Sequence, residues 1–161
     1  MQDNISLSEH FRLREFTESA TARKHGIVNE PPSEAVENLR RLCEGCLEPL
    51  REALGLPIVI TSGYRCQRLN EILVHAARKS QHLFGQAADF YVSGLSRREL
   101  LIIAFRLIIE EESIDYDQLI LYPSFIHVSY VSKERNRRKL TKASANGSYT
   151  ALTREQALEL L

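Results

Sequence analysis

A chain of 161 residues with 43% apolar content is long enough for one hydrophobic core and short for two, so a single domain over 1–161 is expected. Its 21 basic and 21 acidic side chains cancel, which excludes a global field drawing it to nucleic acid or to an anionic membrane. No stretch approaches the ~20 apolar residues of a membrane span, and residues 1–10 lack a basic region followed by an apolar one, so cytoplasmic synthesis without a signal peptide is the expectation.

In chain order, Phe11 and Phe16 lead into a short helix, with Thr17 as its expected cap and Gly26 as its stop. Pro31 and Pro32 punctuate. Ser33, followed by Glu34 and Glu37, has the character of a helix start, and Val36, Leu39, Leu42, Cys43, Cys46, Leu47 and Leu50 keep a helical period up to Gly55. Cys43 and Cys46 form a C-x-x-C inside that helix. A redox pair would begin a helix after a strand, and a structural zinc site needs two more ligands, so buried helical thiols are expected. Three cysteines, Cys66 included, cannot all pair within one chain, which points to reduced thiols.

Residues 57–60 form a β-branched run that ends in the turn TSGYR, 61–65. A weaker helical pattern covers 67–77, and 86–92 reads as a strand with Ala87, Asp89 and Tyr91 on one face. Ser96 and Glu99 have the spacing of a capping box ahead of an apolar helix over 100–109. Residues 117–131 read as two strands joined at Tyr122, Pro123 and Ser124. The basic run 133–142 is expected to be a solvated loop or strand edge, and Thr153 to cap a final helix. Helices and short strands without strict alternation predict an α+β fold with a small antiparallel sheet.

The run SQHLFGQAAD, 80–89, puts His82 on a loop and Asp89 in a strand, separated by Gly85 and two alanines that leave room for a metal. His127 lies in a second strand, among apolar neighbours. Two histidines and a carboxylate are a common zinc set with one position left for water. By spacing alone, two readings stay open: a metal site, or a core histidine with a turn-capping aspartate.

The segments SGYR (62–65), SQHLFGQAAD (80–89) and IHVS (126–129), in that order, resemble the zinc D-alanyl-D-alanine carboxypeptidase family, whose fold is shared with the Hedgehog signalling domain. LSEHF (7–11) and LEPLR (47–51) are similar to its N-terminal part, so the resemblance spans about 5–132, with 133–161 a C-terminal extension. It implies a Hedgehog/DD-peptidase-like fold, with helices flanking the sheet and one Zn²⁺ per chain held by His82, Asp89 and His127. It also implies that Arg65 grips substrate and that Ser80 belongs to the substrate loop. The expected activity is zinc-dependent hydrolysis of peptidoglycan peptides by metal-activated water, as a D-Ala-D-Ala carboxypeptidase or a stem-peptide endopeptidase. Such a substrate lies outside the cytosol, and release by lysis would reconcile the two.

One position departs from the family pattern. Members often carry an acid three residues before the last zinc-ligating histidine, as general base, and here that residue is Ser124. Asp117, the nearest acid upstream, becomes the candidate base if the chain folds back at Pro123, and Tyr122 a candidate proton donor or substrate contact. The alternative expectation is a non-catalytic zinc module that recognises peptidoglycan or a protein partner.

Overall fold

The computed structural model describes residues 5–73, 76–94 and 96–160. After an irregular start, α1 (Leu13–Thr17) and α2 (Ala20–Lys24) are two short helices rather than one. The expected cap is corrected accordingly. Thr17 ends α1, its hydroxyl donating to the Leu13 carbonyl at 3.3 Å, and Ser19 caps α2 by accepting from the Ala22 N–H at 3.1 Å.

The long central helix comprises α3 (Ser33–Leu42), a π-helical turn (Cys43–Leu47) and α4 (Glu48–Leu54). The cause of the wide turn is in the sequence. Pro49 has no N–H for the Gly45 carbonyl four residues earlier, so the helix widens there and the Asp115 N–H takes that carbonyl at 3.3 Å. Gly45 also lets the Tyr130 ring lie against the helix, since a Cβ would sit 2.6 Å from it. Cys43 and Cys46 face the core as free, fully buried thiols, as the helical reading predicts, and burial pushes both well above the usual thiol range.

The strands are β1 (Ile58–Ser62), β2 (Ala87–Val92), β3 (Gln118–Leu121), β4 (Ile126–Ser129), β5 (Lys139–Ala143) and β6 (Tyr149–Leu152). They form one sheet in the order β1-β2-β4-β3-β5-β6. Every pairing is antiparallel except β3 with β5, so the α+β expectation holds and the sheet is larger than expected, with one parallel step. Between β1 and β2 lie α5 (Gln67–Ile72) and a 3₁₀ turn (Gln81–Phe84); the helical pattern expected as far as 77 runs across 74–75, which lie outside the described residues. α6 (Arg97–Glu110) follows β2. Ser96 stands at its N-cap without a side-chain cap bond, which corrects the expected box. Thr153 does cap α7 (Arg154–Leu158), in a reciprocal box with Gln156.

The period of two sorts the sheet into two faces. Ala88, Phe90, Val92, Leu119, Leu121, Ile126, Val128 and Leu140 are buried in the core with apolar residues of the long helix and α6. On the other face the register sets Ser62 beside Asp89, Asp89 beside His127, His127 beside Ile120, and Ile120 beside Thr141. Each of these strands therefore carries the core on one side and presents its chemistry on the other. Among the described residues no helix is long and apolar enough to cross a membrane.

Candidate metal centre

His82, Asp89 and His127 each offer a ligand atom, and the three atoms lie within 4.8 Å of one another. Asp89 and His127 meet because they are register partners on adjacent strands, with His127 Nδ1 2.8 Å from Asp89 Oδ1. His82 arrives from the 3₁₀ turn, which Ser80 caps by accepting the His82 N–H at 3.3 Å and Gly85 closes at φ 68°. A β-carbon at Gly85 would collide with the Ala35 carbonyl, so glycine meets both the left-handed backbone and the close approach.

Two of the three ligand spacings match a tetrahedral metal, and the third, 2.8 Å between His127 Nδ1 and Asp89 Oδ1, is of hydrogen-bond length. His82 Nε2 lies 3.3 Å from His127 Nδ1 and 3.4 Å from Asp89 Oδ1, and tetrahedral zinc with ~2.0 to 2.1 Å bonds sets its ligands about 3.3 to 3.4 Å apart. The outer hydrogen bonds agree. His82 Nδ1 lies 2.6 Å from the Gly63 carbonyl, and since a carbonyl only accepts, the ring proton is on Nδ1 and the Nε2 lone pair faces the cluster. Burial holds His82 below the ordinary imidazole value, hence neutral. Burial alone would raise Asp89, but its contacts with His82 and the bond to His127 outweigh it and hold the carboxyl well below its usual range. A neutral imidazole and an ionised carboxylate are the forms a metal binds.

Arg65 is brought to this cluster. Its Nη2 donates to Asp89 Oδ2 at 3.0 Å and its Nε to Ser62 Oγ at 3.1 Å, leaving Asp89 Oδ1 for the histidines. Its backbone N–H donates to the His82 carbonyl at 3.0 Å, tying the two loops together. Sequence reasoning missed Asn29, which holds the arginine loop: its amide donates to the Thr17 and Tyr64 carbonyls and its Oδ1 accepts the Cys66 N–H at 2.8 Å. An isolated Asn before two prolines carries no signal of that role.

The cluster opens into a cleft of roughly 920 Å³ that also contains Ser80, Asp117 and Tyr122. Of these, Ser80 is a cap. Asp117 is committed elsewhere: its buried carboxylate accepts from the Arg137 N–H, Nε and Nη2 at 2.9, 2.9 and 2.6 Å, from Gln81 Nε2 at 2.9 Å, and from Ser129 Oγ at 3.3 Å. Burial opposes its ionisation, yet the Arg137 bonds prevail and hold it at about 2. A carboxylate with five donors and that acidity is a poor base, which removes the ground for the catalytic role expected of Asp117. Ser124 sits in the exposed turn closed by the Tyr122 N–H to the Phe125 carbonyl at 3.0 Å. Tyr122 stacks on Phe125 with ring centroids 4.2 Å apart, and its hydroxyl lies 3.0 Å from that of Tyr149. Burial and the Tyr149 hydroxyl push Tyr122 well above the ordinary phenol value.

No match was found among curated proteins. A family model described as Peptidase M15 matches residues 9–129, which contain Arg65 and all three cluster residues. That span is most of the chain and the α+β fold agrees with it, so the chain belongs to peptidase family M15, the zinc D-Ala-D-Ala carboxypeptidase family.

Proposed function

We propose that the chain is a zinc peptidase acting on peptides of bacterial peptidoglycan, with one Zn²⁺ held by His82, Asp89 and His127. The observation that carries this reading is the His–Asp–His cluster, its three ligand atoms within 4.8 Å of one another, lining an open cleft inside the region matched by the peptidase family. When bound, zinc supplies Lewis-acid polarisation of a peptide carbonyl and brings the pKa of water toward ~7.

The protein's own groups do the rest. The Gly63 carbonyl fixes the His82 tautomer, and Arg65 aims Asp89 by holding its outer oxygen. Arg65 also lines the cleft, where its guanidinium can grip a substrate carbonyl or carboxylate. Tyr122 remains protonated at neutral pH, so it acts as a hydrogen-bond donor toward the charge that develops on the substrate carbonyl. Neither carboxylate among the described cleft residues is free: Asp89 is bound to Arg65 and His127, and Asp117 to Arg137. Turnover therefore runs without a carboxylate base, at a rate lower by the ~10²- to 10⁴-fold that such a group contributes.

That same observation favours a second reading, a zinc-binding module that recognises peptidoglycan or a protein partner without cleaving it. One experiment separates them. Protein loaded with one equivalent of zinc is incubated with a D-Ala-D-Ala-terminated stem peptide and with purified cross-linked peptidoglycan, and the products are read by mass spectrometry. Released D-alanine identifies a carboxypeptidase and cleaved stems or crosslinks an endopeptidase. No product from zinc-loaded protein on either substrate rejects the peptidase reading for the binding module.

A further inference from the structure

The cleft has a wall that the family match does not reach. Residues beyond 129 contribute Arg135, Arg137, Lys139, Thr141 and Tyr149 to it, and Lys79 faces them from the loop before the 3₁₀ turn. The register explains why. β5 lies beside β3, so Thr141 continues the row of Asp89, His127 and Ile120, and Lys139 lies beside Gln118 one step along the same face. β6 then sets Tyr149 beside Ala143, bringing its hydroxyl to Tyr122.

The charge of this wall is one-sided. Arg65 and Arg137 are neutralised by Asp89 and Asp117, the only carboxylates among the described cleft residues. Lys79, Arg135 and Lys139 are exposed and form no ion pair among the described residues. The chain as a whole has zero formal net charge, so three uncompensated cations along one cleft are a local feature, not a share of a basic surface. Arg137 anchors the loop that carries Arg135, through its backbone N–H and side chain on Asp117.

We propose that Lys79, Arg135 and Lys139 form a subsite for a carboxylate-bearing residue of the peptide that occupies the cleft. Naming that peptide a substrate rests on the peptidase reading; the binding itself does not. The sheet gives the subsite a position. Two strand steps of ~4.8 Å and two residues of ~3.3 Å separate His127 from Lys139, roughly 12 Å, or about three to four residues of extended peptide. The acidic residue therefore lies about that far from the scissile bond.

The test compares fluorescein-labelled hexaglutamate with hexaglutamine by anisotropy, on protein with its zinc content measured, against the Arg135→Gln/Lys139→Gln double variant. The native chain should bind hexaglutamate about tenfold more tightly at an ionic strength of about 0.01 M, with the margin shrinking toward about 0.15 M. The double variant should lose most of that margin while keeping its zinc. A Lys79→Gln variant, on a separate loop, should lose part of it, which keeps the idea testable if the double variant folds poorly. Equal binding of the two peptides by the native chain, an undiminished margin in both variants, or tighter binding of a glycerol-phosphate oligomer than of hexaglutamate would overturn the subsite. Protein that takes up no zinc on dialysis against it yet shows the margin would retain the subsite while counting against the metal reading, so the two failures are distinguishable.

Discussion

The two sides of the cleft are built on opposite principles. On the metal side, β1, β2, β4 and the 3₁₀ turn bring buried groups together through short bonds in fixed positions: His82 to Gly63, His127 to Asp89, Asp89 to Arg65. On the far side, β5 and the loop before it present exposed charges on one anchor, the buried Asp117 carboxylate paired with the exposed Arg137. Chemistry that needs a defined geometry sits where the backbone leaves little freedom. Recognition that needs only charge of one sign sits where side chains can adapt.

The comparison can be broken on the metal side first. Asp89→Ala leaves the Arg65 guanidinium, whose side chain is 15% exposed, without its partner, and removes a cluster ligand. A loss of about 3 to 5 kcal/mol in chemical denaturation is expected, together with loss of zinc. Unchanged stability would show that solvent compensates Arg65 and that the metal side is less fixed than described.

Gly63→Ala comes next. A β-carbon there would lie 2.6 Å from the Phe16 carbonyl oxygen and 2.7 Å from its Cα, backbone neighbours that cannot swing aside. The cost should be about 1 to 3 kcal/mol. Because the Gly63 carbonyl fixes the His82 ring, zinc affinity should fall as well, whereas an equal strain elsewhere in the core would lower stability alone.

On the far side, Asp117→Asn should cost about 1 to 2 kcal/mol, since water screens a pair whose arginine is 59% exposed, and leave zinc content unchanged, the separation expected if the two sides are independent. The pH dependence has a defined sign. The folded-state value near 2 is below that of the unfolded chain, so the Asp117 contribution is complete above about pH 4 and is lost as pH falls through 2. Denaturation measured from pH 5 to 2 should show a smaller slope in the variant; identical slopes would mean that the Arg137 pair contributes nothing. The smallest effect is expected at Ser96→Ala, within about 0.5 kcal/mol, because the side chain makes no cap bond. A loss near 1 kcal/mol would reinstate the capping box.

How far the sequence revealed each side follows from the same contrast. The metal side is visible because its residues are fixed by local grammar: a period of two placed Asp89 on the face opposite Phe90, and the run from Ser80 to Gly85 carries a cap and a left-handed stop. The helix containing Cys43 and Cys46 was equally plain from its apolar stripe. Its π turn follows from Pro49, a local cue with a long-range partner at Asp115. The far side is hidden because β5 joins β3 in a parallel pairing across the intervening β4 and its loop, and its alternation is obscured by Lys139 and Lys142. The pairing of Asp117 is hidden for a related reason. Its partner Arg137 lies 20 residues on in a run that reads as solvated, so nothing near Asp117 in sequence shows that its charge is taken.

The central claim is that His82, Asp89 and His127 together hold one zinc ion. Elemental analysis of the native chain and of His127→Ala, after dialysis against trace zinc and with folding checked by circular dichroism, tests it most directly. About one zinc per native chain and close to none in the folded variant is the predicted result. Equal zinc in the two proteins, or none in the native chain, would contradict it.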